Sequence, residues 1–279
     1  MHIDAHFHSW QLARGDYGWL TPRLGAIYRD VAISDWLAVA QPMGVAAGLL
    51  VQAAPTLAET QHLLALAHVN ACVLGVVGWV DMATPDAVAS IMALAQNPWL
   101  KGLRPMLHDL PDPDWILHSA VQPALTAMDK LGVVFDALIK PEHIRRIRTL
   151  AQHHPSLRIV VDHGAKPNIA AGQFQPWADD MAALAQEPLV YCKLSGLLTE
   201  AGATPAPEAA AGCAQYLLAC FGADRLLWGS DWPVLELAAT YGAWWEACQR
   251  TLIQLSPAQQ MSVLGGNAQR VYGLVATSA

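Results

Sequence analysis

His6 and His8 end the first apolar run of the chain, residues 1–8, and Ser-Asp-Trp-Pro, from Ser230 to Pro233, closes the last one. Side chains alternate along an extended strand, so Asp4, His6 and His8 are expected on one face and Ile3, Ala5 and Phe7 on the other. Two imidazoles are thereby aimed at one point. If the fold carries Asp231 there from the far end of the chain, the group could hold a metal ion or activate water. Asp231 follows the apolar Leu226-Leu227-Trp228-Gly229, where an unpaired carboxylate is costly, so a histidine, a metal or a water has to compensate it. The readings without chemistry are one histidine packed in a core, the other bonded to backbone, and an Asp231 that caps the next helix.

His163 ends another apolar run, Ile159-Val160-Val161-Asp162, and adds a third imidazole suited to a metal or to a carbonyl oxygen. Its bland reading is a histidine bonded within a turn. Arg104, inside Gly102-Leu103-Arg104-Pro105, cannot shed its charge and needs an anionic or strongly polar partner, either a substrate or an ion-pair mate such as Asp81 or Asp136. Lys193, in Tyr191-Cys192-Lys193-Leu194-Ser195, poses the same choice, and a buried lysine of depressed pKa could also form a Schiff base. Gln52, Trp79, Asp136, His108 and Trp232 are further candidates, as residues that pack around the site or support it.

The elements that must position these groups are legible as eight short runs rich in Val, Ile, Leu and Gly, at 1–8, 47–52, 73–81, 102–107, 133–139, 158–163, 190–195 and 225–231. Helical periodicity separates them, at 56–70, 85–96, 119–131, 141–153, 177–186 and 206–221, with a further helix near 34–41. Continuous apolar strands alternating with helices imply parallel pairing with both faces covered, and eight such units predict an α/β fold, a (β/α)8 TIM barrel spanning residues 1–279 as one domain. A doubly wound sheet ranks second, because only a closed barrel makes the ends of the first and last strands neighbours. Residues 9–29, with Trp10, Tyr17, Trp19 and Tyr28, read as a long first βα loop over the barrel mouth, and 107–115 reads similarly. The final helix is expected at 264–272, with Gly265 and Gly266 in the turn before it.

Composition narrows the function. Only 14% of the 279 residues are charged, which implies a large core. The net charge of -7, with no Lys/Arg cluster, argues against nucleic acid and against an anionic membrane surface as partners. No apolar run is long enough for a transmembrane helix, and the chain opens directly on a strand without a signal-peptide pattern. Five cysteines without a C-x-x-C motif read as buried thiols, hence a cytoplasmic setting. Eleven tryptophans are compatible with burial in a monomer or with an apolar patch for homo-oligomer formation.

Five motifs in order, Ile3-Asp4-Ala5-His6-Phe7-His8, Gly102-Leu103-Arg104, Asp162-His163-Gly164-Ala165-Lys166-Pro167, Lys193-Leu194-Ser195-Gly196 and Gly229-Ser230-Asp231-Trp232-Pro233, resemble the sugar lactonase branch of the amidohydrolase superfamily. Within it the resemblance is to enzymes of the L-fucono-1,5-lactonase and L-rhamnonolactonase type, with pyrone-dicarboxylate lactonases and decarboxylases more distant. It runs from the first strand to the last helix and implies a barrel, hydrolysis of a cyclic ester and an active site at the strand ends. Binuclear members bridge two metals with a carboxylated lysine or a glutamate after the fourth strand, where this chain has Arg104 and His108. The expectation is therefore one divalent ion, zinc by its ligand types, held by His6, His8, Asp231 and His163 and not required for activity.

In the mechanism this implies, Asp231 is the general base, while His163 and Arg104 stabilise the carbonyl oxygen. Trp19, Trp79 and Trp232 are expected to stack on the sugar ring, and Gln52, His108 and Lys193 to bond its hydroxyls. The substrate is then a small molecule, a sugar lactone. The rivals are a metal-dependent non-oxidative decarboxylase, a Schiff-base lyase on Lys193 and a sugar-binding barrel without catalysis.

Overall fold

The computed structural model describes residues 1–202, 205–206 and 208–275. Eight strands, β1 (His2–Phe7), β2 (Val45–Val51), β3 (Val73–Gly78), β4 (Leu100–Leu103), β5 (Val134–Ala137), β6 (Ile159–Val161), β7 (Val190–Leu194) and β8 (Leu226–Trp228), form one parallel sheet in chain order. The sheet closes on itself past the end of β8. There Asp231 donates its N–H to the His6 carbonyl and His8 donates its N–H to the Trp232 carbonyl, each at 2.8 Å. Helices α1 (Ile33–Ala40), α2 (Leu57–Val69), α3 (Ala87–Leu94), α4 (Gln122–Leu131), α5 (Ile144–His153), α6 (Trp177–Leu184) and α7 (Ala211–Arg225) fill the crossovers, and α8 (Tyr241–Leu252) follows β8.

The expected (β/α)8 barrel is thus present, with every strand except β2 shorter than its apolar run. The run 225–231 shrinks to Leu226–Trp228 because Gly229 to Asp231 turn away to close against β1. The helix expected at 206–221 is found as α7, and residue 207 of that range lies outside the described residues. The final helix is α10 (Asn267–Tyr272), shorter than expected, preceded by α9 (Pro257–Met261) and a π-helical segment Ser262–Gly266 that contains both glycines. Gly265 passes so close to the first strand that a Cβ there would lie 2.4 Å from the Met1 carbonyl oxygen.

Two apolar layers hold the elements. Ile3, Ala5, Ala47, Leu49, Val134, Val160 and Leu227 fill the barrel interior, where Ala268, Val271, Tyr272 and Leu274 of the C-terminal segment pack against them. A larger layer between barrel and helices includes Phe7, Trp36, Trp177, Trp228 and Trp244. Local signals agree with the helices: the Thr56 and Thr240 hydroxyls accept the N–H groups of Glu59 and Ala243, capping α2 and α8. All five cysteines are free thiols. Among the described residues no helix is long and apolar enough to cross a membrane.

One expectation about β1 is overturned. The register with β2 breaks between Asp4 and Phe7, so alternation does not carry through the strand. Asp4 and Phe7 both face α1: the Trp36 indole donates to the Asp4 carboxylate at 3.0 Å and stacks on Phe7 at 4.0 Å between centroids. Asp4 therefore lies on the helix side of the barrel, while His6 and His8 face its mouth.

Candidate active site

The chemically able side chains gather where the strands end. His6 and His8 come from β1 and the residue after it, Arg104 follows β4, His163 follows β6, and Asp231 follows β8. All five are buried. Around the Asp231 Oδ1 atom stand the Nε2 atoms of His8 at 3.3 Å, His6 at 3.6 Å and His163 at 3.8 Å. Residues separated by more than two hundred positions thus meet at the carboxyl-terminal face of the barrel, the face on which barrel enzymes work.

Unusual backbone aims two of these groups. His163, Gly164, Ala165 and Lys166 have φ of 55, 56, 61 and 50°, a left-handed turn that costs about 1–2 kcal/mol for each non-glycine residue. Asp231, with φ of 60°, shares the strain. The turn is held by the Trp177 indole donating to the Gly164 carbonyl at 2.7 Å and by the Lys166 N–H donating to the His163 carbonyl at 2.9 Å. Because His163 leaves the strand in this way, it and its neighbour Asp162 reach the same cluster instead of opposite faces. Gly196 makes room for the ring, since a Cβ there would lie 2.5 Å from His163 Nδ1. That nitrogen meets the Ser195 hydroxyl at 2.9 Å.

Beneath the histidines lies a buried network of charges. Lys193 Nζ contacts Asp136 at 2.5 Å, Asp162 at 2.9 Å and His6 Nδ1 at 3.2 Å. The Arg104 guanidinium meets Asp162 at 3.2 Å and His6 Nε2 at 3.3 Å, and donates to the Gln52 carbonyl. The Tyr272 hydroxyl donates to Asp136 at 2.9 Å. Arg104 is thus paired with Asp162, not with Asp81 or Asp136: Asp81 is exposed, and Asp136 is taken by Lys193 and Tyr272.

Burial works against the charge of Lys193, but the Asp136 and Asp162 carboxylates outweigh it and hold the ammonium above its ordinary pKa. Burial likewise pushes Asp162 and Asp231 up. Lys193, His6 and Arg104 reverse this for Asp162, and the three histidines reverse it for Asp231, so both carboxylates end well below their usual range. Burial holds His6 well below its ordinary value and His163 at about 4, with Asp162 opposing the first and Asp231 the second. At neutral pH His6 and His163 are therefore neutral beside an ionised Asp231.

A cavity opens over the cluster, lined by His8, Arg104, His163 and Asp231 together with Trp19, His108, Lys166, Met106, Leu138 and Val234. Trp19 comes from the long connection between β1 and α1, and its indole donates to the Ala53 carbonyl at 2.7 Å. Burial lowers His108 to about 4, with Asp109 opposing and Lys166 and Arg104 assisting. The other candidates stand back from the cavity. Gln52 is buried and donates to the Arg104 carbonyl at 2.7 Å, and Lys193 is enclosed in its ion-pair network. The Trp232 indole donates to Glu236 at 2.8 Å, and Trp79 is tied through its backbone to the Thr60 hydroxyl. Asp162 and Lys166 belong to this site although sequence reasoning gave them no role; their signal was the motif that also contains His163.

The donors fit a divalent cation. His6, His163 and Asp231 each offer a ligand atom within 4.8 Å of the others. His8 donates Nδ1–H to the Val51 carbonyl at 2.8 Å, which turns Nε2 toward the Asp231 carboxylate at 3.3 Å. A proton, a water or a cation between these two atoms would satisfy both. Arg104 and Lys193 set two positive charges against the carboxylates of Asp136, Asp162 and Asp231, leaving one negative charge over. Arg104 also keeps a permanent positive charge beside His6 Nε2.

A closed (β/α)8 barrel with histidines and an aspartate at its strand ends defines a class, and comparison with known proteins agrees with it. A model of the amidohydrolase family matches residues 3–274. The chain belongs to this family. It is 44% identical over 274 residues to the L-fucono-1,5-lactonase of Burkholderia ambifaria, covering 97% of this chain and 94% of that protein. It is 31% identical to the L-fucono-1,5-lactonase of Burkholderia multivorans, covering 98% of this chain and 96% of that one. The solved structure of an amidohydrolase from Burkholderia multivorans with bound zinc superposes with a TM-score of 0.92 at 30% identity, covering 99% of this chain and 100% of that one.

Proposed function

We propose that this protein is a sugar lactonase that opens an aldonolactone such as L-fucono-1,5-lactone to the sugar acid, with Asp231 activating the attacking water. The observation that carries the mechanism is the ionised Asp231 carboxylate at the cavity floor among three imidazoles. Kinship with L-fucono-1,5-lactonases supports the substrate class.

Water bound at Asp231 attacks the lactone carbonyl as the carboxylate accepts its proton. The weak basicity of Asp231 keeps it ionised beforehand and lets it pass the proton readily to the ring oxygen when the carbon–oxygen bond breaks. With Nδ1 accepting from the Ser195 hydroxyl, neutral His163 presents Nε2–H as a donor to the developing oxyanion. Arg104 adds its charge, and such donors contribute about 3 kcal/mol each. Trp19 and His108 contact the sugar from the cavity wall, while Gln52 and Lys193 fix Arg104 and His6 from below.

His6, His163 and Asp231, with His8 beside them, are the residues that would hold a divalent ion, and their donor types favour zinc. When bound, it supplies Lewis-acid polarisation and acidifies water. Arg104 and the neutral His163 supply part of that polarisation themselves, which supports activity without the metal. The Schiff-base reading loses its basis, because Lys193 is held protonated and enclosed.

A pH-indicator assay over a panel of aldono-1,5- and 1,4-lactones, with and without chelator, tests the proposal. Acid release from an L-fucono-type lactone that persists in chelator is the expected result. Carbon dioxide release in a strictly metal-dependent reaction would favour the decarboxylase, and binding without acid release the sugar-binding barrel.

A further inference from the structure

We infer that Lys166 is a substrate-binding residue that selects lactones by their ring hydroxyls. The inference rests on the lactonase reading and adds a residue to which neither composition nor motif gave a role.

The left-handed turn from His163 to Lys166 does more than aim the imidazole. A turn confined to His163 would return the chain to ordinary backbone at once, yet the φ angles stay positive through Ala165 and Lys166, and Lys166 comes to line the same cavity as His163. Its ammonium is anchored on Glu200 at 2.7 Å, with side-chain exposures of 19% and 25% for the pair, so the charge is fixed yet reachable from the cavity. An ammonium has three donors, and Glu200 takes one of them.

The remaining lining explains what those donors meet. Asp231 is committed to the attacking water, His163 and Arg104 to the carbonyl oxygen, and His8 contacts Asp231, while Trp19, Met106, Leu138 and Val234 offer mainly apolar surface. His108 is uncharged at neutral pH and lies 3.1 Å from Asp109. Lys166 therefore brings a cationic donor to a wall that is mainly apolar away from the cavity floor, and whose other polar groups are Asp109 and His108. A neutral polyol ring matches this arrangement: hydroxyl oxygens accept from the ammonium, and the ring face lies on the apolar wall. A lactone without hydroxyls has nothing for Lys166 to hold.

The test compares Lys166→Met with the wild type on L-fucono-1,5-lactone and on δ-valerolactone, which carries the same ester without hydroxyls. Thermal midpoints accompany the kinetics. For the hydroxylated substrate we expect KM to rise and kcat/KM to fall tenfold or more, as for the loss of a charge-assisted hydrogen bond. For δ-valerolactone the two proteins should agree within about twofold. Glu200→Gln, which frees the ammonium without removing it, should raise KM severalfold on the hydroxylated substrate alone, and it provides the readout if Lys166→Met does not fold. Equal kcat/KM for variant and wild type on the hydroxylated lactone would overturn the inference, as would an equal fall on both substrates. A wild type inactive on both lactones would overturn the lactonase reading and this inference together; an active wild type matched by Lys166→Met removes only this one.

Discussion

Asp4 accepts both the backbone N–H of Ser230, at 2.8 Å, and its hydroxyl, at 2.6 Å, tying the first strand to the segment that delivers Asp231. The same carboxylate accepts from the Trp36 indole and the Tyr241 hydroxyl, each at 3.0 Å. Barrel closure and catalytic geometry thus share one anchor. Asp4→Asn should lower unfolding free energy by about 2–3 kcal/mol, the scale for hydrogen bonds to a buried charged group, and should lower kcat as Asp231 loses its mooring. Urea denaturation alongside turnover measures both. Loss of stability with unchanged kcat would separate the anchor from the site.

How much of this was readable beforehand depends on whether neighbours in sequence set the geometry. The eight strands were legible because each is a nearly unbroken run of apolar residues, and closure of the barrel followed from histidines at the first strand end and an aspartate at the last. The roles of Asp4, Asp162 and Lys166 were hidden because each depends on a break in regular backbone. A register shift turns Asp4 outward, and a left-handed turn brings Asp162, His163 and Lys166 to one place. Alternation rules fail at such points. The partner of Arg104 was misread for a related reason: several carboxylates lay within plausible reach in sequence, and only packing shows that Asp136 belongs to Lys193.

Lys193 offers a sharp check on the chemistry. A Schiff base needs a neutral amine, and Asp136 and Asp162 keep this one charged. Incubation with substrate and borohydride should leave the intact mass unchanged. Lys193→Met should cost about 3–5 kcal/mol, because it strands buried carboxylates without their counter-charge. A reduced adduct on Lys193 would overturn this assignment.

Glu59 sets a pH dependence of stability outside the reacting cluster. Its buried carboxylate accepts the N–H groups of Ala53 and Ala54 at 2.7–3.0 Å, on the backbone whose Ala53 carbonyl receives the Trp19 indole, and burial raises it to about 7 against those bonds. The folded state therefore holds this proton to higher pH than the unfolded chain, whose value lies near 4.5. Its contribution is fully present below about pH 4.5 and is lost as pH rises through about 7, a change of about 3 kcal/mol. Stability measured by denaturation at several pH values should fall across that window in the wild type, and Glu59→Gln should remove this component of the slope. Identical slopes would show that Glu59 titrates as it does in the unfolded chain.

The central claim is that Asp231 works as the base at the meeting point of His6, His8 and His163. Asp231→Asn keeps the size and the barrel-closing N–H of the residue and removes its negative charge and with it its ability to take a proton. Steady-state turnover of L-fucono-1,5-lactone by this variant, with its fold checked by circular dichroism, should fall by about three orders of magnitude or more. Turnover within tenfold of the wild type in a folded protein would contradict the account.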